Sequence, residues 1–416
     1  MKRSHRTCRD SSSADRASLK PRSDEHHKWR WSLVLLAATL MLAIRVDATD
    51  KYKILHYFSG CSVAPSGALI SDASGNFYGT TAGGCPGGAV FKFTRKGGGG
   101  WSYTVLYEFK HPRINGESPA GQLIFDATGN LYGTTFGGGA HNLGTAFELS
   151  PAGKTWKQKV LYSFGGSSSD LQNPEGGVTL DTSGNLYGTA TSGGSNGVGG
   201  VFKLTPGSNG WQETVIHNFN TSDGQYPTSQ LIWDSSGNLY GTADTVFQLS
   251  PSNGQWTATV ICGSACPEAR GELTFDAAGN LYGGTLVGGK NNNGGTVFEL
   301  TTAMGQWTHT TLYEFNDSDG GSPKGGVVFD SAGSLYGTTV DGGPHLPWGV
   351  VFKLSPSGGN WTETVLHAFQ LKYGACPSSG LTLDQTGIVY GVTPAGGDDY
   401  RYGCQKGDGV LFSITQ

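Results

Sequence analysis

One ten-residue string, DATGNLYGTT at residues 126–135, returns along the chain in seven close copies and restricts the possible folds more than any other feature. The eight-residue cores of these copies are DASGNFYG (72–79), DATGNLYG (126–133), DTSGNLYG (181–188), DSSGNLYG (234–241), DAAGNLYG (276–283), DSAGSLYG (330–337) and DQTGIVYG (384–391). Successive cores begin 54, 55, 53, 42, 54 and 54 residues apart. A period of this length is typical of a propeller or another array of repeated units.

Each period contains four short runs rich in apolar, β-branched and aromatic residues. In the second period these runs are GQLIFD (121–126), LYGTT (131–135), TAFEL (145–149) and WKQKVLYSF (156–164). Gly, Pro, Asn or Ser bound the runs, which have the length of β-strands. Four strands in each of seven repeats predict an all-β fold, a seven-bladed β-propeller of four-stranded antiparallel blades.

The two ends of the chain indicate how such a ring closes. The last repeat ends at GVLFSITQ (409–416), which matches a third strand, and its fourth strand is missing. The stretch KYKILHYF (51–58) matches a fourth strand but has no blade before it. We therefore predict that residues 51–58 complete the seventh blade and remove the exposed edges of an open array.

The polar residues that recur in every repeat are interpreted as structural. The Asp that opens each core is predicted to accept hydrogen bonds from turn amides, and the Gly supplies the positive φ of a hairpin between the first and second strands. The Trp that opens most fourth strands is expected to pack. His56, His217 and His367 occupy positions where other repeats carry Tyr, so a half-exposed ring is favoured over metal binding.

The first 48 residues differ from the rest of the chain. Residues 1–31 are polar and basic, residues 32–44 (SLVLLAATLMLAI) carry no charge, and the sequence RVDA follows. This pattern predicts a signal peptide at 1–48, cleaved after Ala48, and a propeller domain at 49–416. The apolar run is shorter than the roughly 20 residues that span a bilayer. The protein is expected to be secreted, either extracellular or periplasmic; the alternative is that the segment is kept as an anchor.

Charge narrows the choice of partners. Cleavage removes 10 of 28 Lys and Arg and 5 of 32 Asp and Glu, so the mature chain has 18 basic and 27 acidic residues and a net charge of −9. An acidic chain has no electrostatic attraction to nucleic acid or to anionic lipid. We expect no nucleic acid partner, no membrane insertion after cleavage, and a monomer.

Six cysteines remain after the signal peptide, and an even number in an exported chain predicts disulfides. In an up-and-down blade, the loop that leads into the first strand (the lead-in loop) and the loop between the second and third strands emerge on the same face. The predicted pairs follow from this placement: Cys61 with Cys85, Cys376 with Cys404, and Cys262 with Cys266. The rival interpretation, a metal site, lacks a second thiol pair or a His cluster with zinc-like spacing.

Taken in order, the motifs GNLYGTT, a Gly-Gly loop, GTVFEL and W-x-x-x-V-L-Y-x-F resemble those of one known family. The chain resembles the GloVer (Gloeobacter/Verrucomicrobia) tandem-repeat extracellular proteins of bacteria over residues 51–416. The resemblance implies an exported repeat protein of uncharacterised function. It supplies no catalytic residues.

Variation is concentrated on the face that carries the lead-in loops and the loops between second and third strands, here called the variable-loop face. The lead-in loops share a Pro in every repeat: Pro65, Pro119, Pro174, Pro227, Pro267, Pro323 and Pro377. The loop between second and third strands is very short in blade 4 (241–247) and long in blades 6 (338–352) and 7 (392–412). Variable loops on a rigid scaffold are where function is usually found.

The two longest loops supply a candidate ligand site. Aromatic rings beside acidic and amide groups suit stacking on sugar rings and hydrogen bonds to hydroxyls. The candidate ligand-binding residues are Trp348, Tyr400, Tyr402, Arg401, Asp341, Asp398 and Asp399. The alternative is that these aromatic side chains cover their own loops.

The sequence offers little for catalysis. NDSDGG (316–321), with Asp317 and Asp319, resembles the start of a calcium loop but lacks the third acidic ligand and the Glu at the twelfth position. An ordinary turn is favoured there, and no cofactor is expected; calcium is the one ion with a candidate motif. We favour a non-catalytic propeller that binds a glycan, peptide or protein partner through the variable-loop face. The alternative is a secreted metal-assisted hydrolase or lyase at the channel mouth, whose catalytic residues the sequence does not identify.

Overall fold

The computed structural model describes residues 51–84, 86–291, 293–345, 347–397 and 408–415; the predicted signal segment lies outside this range. Strand β1 (Lys51–Tyr57) opens the described chain. Blade 1 contains β2 (Val63–Ser71), β3 (Phe77–Gly83), β4 (Ala89–Arg95) and β5 (Trp101–Glu108). Blade 2 contains β6 (Glu117–Phe125), β7 (Leu131–Gly137), β8 (Thr145–Ala152) and β9 (Thr155–Ser163).

Blades 3 to 5 repeat this order with shorter first strands. Blade 3 contains β11 (Val178–Leu180), β12 (Leu186–Ala190), β14 (Gly200–Gly207) and β15 (Gly210–Asn218), with β10 (Leu171–Gln172) and β13 (Ser192–Gly193) forming a separate two-stranded ribbon. Blade 4 contains β16 (Ile232–Trp233), β17 (Leu239–Thr242), β18 (Val246–Ser252) and β19 (Gln255–Cys262). Blade 5 contains β20 (Thr274–Phe275), β21 (Leu281–Thr285), β22 (Thr296–Ala303) and β23 (Gln306–Glu314).

The last two blades complete the ring. Blade 6 contains β24 (Val327–Phe329), β25 (Leu335–Thr339), β26 (Val350–Ser357) and β27 (Asn360–Ala368). Blade 7 contains β28 (Thr382–Leu383), β29 (Val389–Thr393), β30 (Val410–Thr415) and β1. A short α-helix, α1 (Pro112–Asn115), and a 3₁₀ turn (Leu371–Tyr373) lie in lead-in loops. The prediction of a seven-bladed propeller with four-stranded antiparallel blades is confirmed.

Closure by the first strand is also confirmed. Strand β1 pairs antiparallel with β30, with Tyr52 opposite Ile414 and Tyr57 opposite Val410. The sheet order is β1-β30-β29-β28, so the N-terminal strand is the outermost strand of blade 7. Phe58, which follows β1, is 2 % exposed and packs 5.2 Å from the ring of Phe91 in blade 1.

A repeated glycine explains part of the constant string. In blade 2 a Cβ placed on Gly133 would lie 2.8 Å from Cζ of Phe147, a fully buried ring of the third strand. The same approach of 2.4–2.8 Å recurs in every blade, between Gly79, Gly133, Gly188, Gly241, Gly283, Gly337 and Gly391 and the corresponding Phe. The Gly of the YG dipeptide is therefore constant because the adjacent strand packs a Phe ring where a side chain would be.

Candidate functional site

The seven constant Asp residues organise turns, as predicted. In blade 2, Oδ1 of Asp126 accepts hydrogen bonds from the backbone N–H of Thr128 and Asn130, both at 2.9 Å. Its Oδ2 accepts from Nδ2 of Asn130 (2.8 Å) and from the hydroxyl of Tyr132 (3.3 Å). Burial raises the pKa of the Asp126 carboxyl, but these hydrogen bonds to its ionised form outweigh burial and lower the pKa below its ordinary value. In each other blade the constant Asp likewise accepts hydrogen bonds from the backbone N–H four residues further on and from the Tyr hydroxyl six residues further on.

The histidines at fourth-strand positions contact the neighbouring blade. His56 stacks on Tyr103 with ring centroids 4.2 Å apart, and His367 stacks on Tyr52 at 3.6 Å. Nε2 of His217 lies 3.2 Å from Oδ2 of Asp223. These rings are half-buried at blade boundaries, which confirms their interpretation as packing residues.

The aromatic loop patch is only partly described. Trp348 is half-buried and packs against a small buried cluster that contains Ala375 and Cys376. Asp341 is exposed as a whole residue, but its carboxyl is partly buried. This burial first, and the nearby Asp317 second, raise the pKa of the carboxyl. The other members of the predicted patch, Asp398, Asp399, Tyr400, Arg401 and Tyr402, lie outside the described residues. The described structure therefore brings one packed indole and one carboxylate to this region, and the patch stays a prediction.

The calcium-like segment is an ordinary polar turn. Oδ1 of Asp319 accepts from the backbone N–H of Asn316 at 2.8 Å, and Oδ2 accepts from the hydroxyl of Tyr313 at 2.8 Å. The Asn316 side-chain amide also donates to Oδ2. Asp317 is exposed, and its backbone carbonyl accepts from Gly343 N–H at 2.8 Å. The carboxylate of Asp319 is thus already committed to contacts within its own turn and with the preceding strand.

Disulfides tie several lead-in loops. Cys262 and Cys266 are joined by a disulfide with an S–S distance of 2.04 Å. Cys61 and Cys376 are also disulfide-bonded; their predicted partners, Cys85 and Cys404, lie outside the described residues. Over the described ranges, the one group of three or more potential metal ligands within 4.8 Å is Cys262, Cys266 and His309. Both sulfurs of that group belong to the disulfide, so they are not available as thiolate ligands.

Charged and polar side chains are most concentrated along the axis of the propeller. A cavity of about 120 Å³, lined by residues of all seven blades, opens where the lead-in loops reach the first strands. A second cavity of about 190 Å³ continues along the first strands. Residues at equivalent repeat positions line both cavities, so they form rings around this channel.

Two of these rings carry the polar side chains. The outer one, here the mouth ring, consists of Ser66, Ala120, Glu175, Thr228, Arg270, Lys324 and Ser378. The inner ring lies two residues further along the chain in each blade and consists of Ala68, Gln122, Gly177, Gln230, Glu272, Gly326 and Gly380. The mouth ring is on the variable-loop face, because the chain enters each first strand from that side.

Two cations of the mouth ring lie on neighbouring blades. Nε of Arg270 donates to Oδ1 of Asp244 at 2.6 Å, across the short loop of blade 4. The backbone carbonyl of Arg270 accepts from the Thr228 hydroxyl at 2.8 Å. Lys324, on blade 6, is half-buried and forms no ion pair with any residue of the described ranges.

Glu272 is the one ionisable member of the inner ring. Part of its surface faces the channel, yet protein surrounds the carboxyl, and this burial raises its pKa to about 7. Among the described residues no hydrogen bond to its carboxylate is formed. A Cβ on Gly380 would lie 2.7 Å from Oε2 of Glu272, and one on Gly326 would lie 3.0 Å from its Cβ. Glycine in blades 6 and 7 therefore leaves the space that this side chain occupies.

The lead-in loop of blade 5 departs from the expected register. In the other six blades the residue before the shared Pro has a positive φ of 51° to 56°: Ala64, Ser118, Asn173, Tyr226, Ser322 and Cys376. In blade 5 the residue with this conformation (φ 50°) is Glu268, which Ala269 follows. Treating Pro267 as equivalent to the other six prolines was therefore wrong, and two extra residues between Pro267 and the first strand place Arg270 on the mouth ring.

The fold and the channel together define a class: a seven-bladed β-propeller built from one repeat, with charged side chains at one mouth of its channel. The chain belongs to the Gloeobacter/Verrucomicrobia repeat family, whose repeat pattern matches residues 42–245 and 243–416. No curated protein matches the chain.

Solved structures show the same fold. A catalytically inactive variant of virginiamycin B lyase from Staphylococcus aureus, solved with quinupristin, is 16 % identical with a TM-score of 0.56, covering 88 % of this chain and 100 % of that one. The extracellular domain of a proposed one-component system from B. thetaiotaomicron is 14 % identical with a TM-score of 0.53, covering 87 % of this chain and 42 % of that one. At these identities the likeness concerns the fold alone. None of the helices in the described ranges has the length and hydropathy that a membrane crossing requires.

Proposed function

We propose that this protein is a secreted, non-catalytic propeller that binds a glycan at the channel mouth on its variable-loop face. One observation carries the proposal: the mouth ring gathers two cations, one carboxylate and three hydroxyl side chains around a cavity of about 120 Å³. Sugars are recognised by such convergent polar groups, which exchange hydrogen bonds with their hydroxyls.

The size of the site favours a glycan over a protein partner. A stable protein partner usually covers about 800 Å² of surface. The described polar groups instead converge on a small concave site that continues into a cavity of about 190 Å³. Such a shape admits the end of a narrow ligand, with the remainder lying over the variable loops. Trp348 and the loop residues beyond it remain candidates for contacts with that remainder.

The positions of four fourth-strand histidines favour binding over catalysis. His56, His217, His309 and His367 belong to fourth strands and lie at blade boundaries, away from the channel lining. Secretion is supported by the leader pattern of residues 1–48 and by the likeness to an extracellular domain.

A second candidate function, a hydrolase or lyase at the channel mouth, is favoured by Glu272 alone. A carboxyl whose pKa is raised to about 7 is matched to proton transfer near neutral pH. It lies in the channel, two residues along the chain from Arg270 of the mouth ring.

The test uses the mature chain on a glycan array, with one variant that blocks the mouth. Ser378→Trp places a large ring in the mouth ring, and Ser208→Trp places the same ring in an exposed turn between third and fourth strands on the opposite face. We expect the wild type and Ser208→Trp to bind the same glycans and Ser378→Trp to lose them. Failure to bind any glycan, or equal binding by both variants, contradicts the proposal.

The second candidate is tested on the glycans that bind. Incubation followed by measurement of new reducing or unsaturated ends detects cleavage. Product that forms with the wild type and disappears with Glu272→Gln would assign catalysis to the channel and overturn the non-catalytic proposal.

A further inference from the structure

The chemistry of the channel changes with depth. The mouth ring borders the cavity of about 120 Å³, the amides of the inner ring border the cavity of about 190 Å³, and Glu272 borders both. Arg270 and Lys324 occupy adjacent blades of the mouth ring. Directly below, the inner ring offers the carboxyl of Glu272 and the amides of Gln122 and Gln230. A ligand that enters the channel therefore meets cations first and hydrogen-bond acceptors second.

The two cations are prepared for an anion. Asp244 holds Arg270 through Nε, which orients the guanidinium plane and leaves its terminal nitrogens outside that contact. Lys324 brings a second positive charge that no described carboxylate neutralises. A guanidinium beside an ammonium suits a carboxylate, because charge-assisted hydrogen bonds of this kind are about twice as strong as neutral ones.

The deeper ring is suited to hydroxyl groups. Nε2 of Gln230 donates to the backbone carbonyl of Val178 at 2.6 Å, so its remaining acceptor is Oε1. Glu272 has no described hydrogen bond and faces the same cavity. Acceptors without donors in a partly enclosed cavity are satisfied by a ligand that carries hydroxyls.

We infer that the channel takes a single acidic sugar unit, a uronate, with its carboxylate against Arg270 and Lys324 and its ring hydroxyls towards Glu272, Gln122 and Gln230. The inference rests on the proposed glycan function and names the sugar class. A cavity of about 190 Å³ is smaller than the 300–1,000 Å³ typical of drug-sized sites, which limits the buried part to one ring.

The test compares matched sugars by isothermal titration calorimetry at pH 7. The ligands are methyl glucuronoside and methyl galacturonoside, their neutral methyl esters, and the corresponding methyl glucoside and galactoside. We expect the uronates to bind at least about ten-fold more tightly than every neutral analogue, which corresponds to about 1.4 kcal/mol.

Charge variants locate the carboxylate. Lys324→Ser introduces the residue that blades 1 and 7 carry at this position, and it should weaken uronate binding about ten-fold while leaving the neutral sugars unchanged. Lys324→Arg should retain the preference. Lys154→Ser removes an exposed charge from a turn on the opposite face and should change nothing. Glu272→Leu should weaken uronates and neutral sugars alike.

The possible failures are distinguishable. Equal affinity for uronates and neutral sugars, or an equal effect of Lys324→Ser on both, overturns the inference while glycan binding stands. Tighter binding of a sulfated sugar than of either uronate overturns it too, because the cations then serve a different acid. If Ser378→Trp abolishes glycan binding on the array but no uronate binds, the uronate inference is also overturned. Loss of all glycan binding, or glycan binding that Ser378→Trp leaves intact, removes the proposed function itself.

Discussion

A buried carboxyl pair between blades 2 and 3 allows the structure to be tested by pH. Asp170 is 5 % exposed, and its Oδ2 accepts from Gly166 N–H at 2.7 Å and from the Tyr162 hydroxyl at 3.1 Å. Oδ1 of Asp170 and Oε1 of Glu213 are both buried, and neither has a hydrogen-bond partner. Burial first, and the adjacent Asp170 second, raise the pKa of Glu213 to about 9. Glu213 is therefore expected to be protonated at neutral pH.

The sign of the pH dependence follows from this pKa. The pKa of Glu213 rises from 4.5, its ordinary value, to about 9 in the folded chain. Its contribution to stability is complete below pH 4.5 and is lost as the pH rises towards 9, because the unfolded chain then releases a proton that the folded chain keeps. At about 1.36 kcal/mol per pH unit, the free energy of unfolding falls by about 2.7 kcal/mol between pH 5 and pH 7. For a folded unit of the size of Asp50–Gln416 this is a Tm change of about 3–4 °C.

The assay is a thermal melt of the wild type and Glu213→Gln at pH 5, 6, 7 and 8. Gln is already present at this repeat position in blade 2, as Gln158, so the variant is expected to fold. The Tm of the wild type relative to the variant should fall by about 3–4 °C from pH 5 to pH 7 and fall further at pH 8.

Glu363→Gln is the matched control, at the same repeat position in blade 6. Burial first and Asp319 second raise the pKa of Glu363 to about 7, so its pH dependence should level off above pH 7 while that of Glu213 continues. Parallel Tm curves for the wild type and Glu213→Gln would refute the raised pKa of Glu213.

Two further predictions concern packing. Gly133→Ala should destabilise the chain by about 1–3 kcal/mol in a denaturant titration, because its Cβ meets the Phe147 ring at 2.8 Å. Gly97→Ala, with open space around the new Cβ, should have little effect, and equal midpoints would contradict the packing argument. Phe58→Ala should cost about 3–5 kcal/mol, as should Phe219→Ala at the same position in blade 3. If only Phe219→Ala lowers the midpoint, the N-terminal segment does not close the ring.

The fold could be predicted because the chain contains its own comparison set. Seven copies of one unit show which positions are constant, and the strand count and the closing strand follow from where the first and last copies are truncated. The loop that leads into blade 5 was the exception. Pro267 has the residue type of the other lead-in prolines but not their place, and only the backbone conformation of Glu268 reveals the shift.

The channel residues were not predicted, because the variability of the loops placed the candidate site in the two longest loops. Glu272 lies within GELTFD, a run counted as an ordinary first strand, and Arg270 and Lys324 directly precede such runs. The detectable signal was a charged residue at a position that is small or uncharged in most repeats. What the sequence could not show is that these positions face an axial channel, since this depends on the orientation of each first strand in the closed ring.

Charged residues that depart from the repeat fall into two groups, which their positions distinguish. Glu213 departs from it at a blade boundary, where its carboxyl is buried beside Asp170 and its raised pKa keeps it protonated at neutral pH. Glu272 and Lys324 depart from it in the channel, where no described side chain pairs with either. Polar groups without a partner in a cavity can be satisfied by a ligand, so Glu272 and Lys324 support the proposal that a ligand binds in the channel.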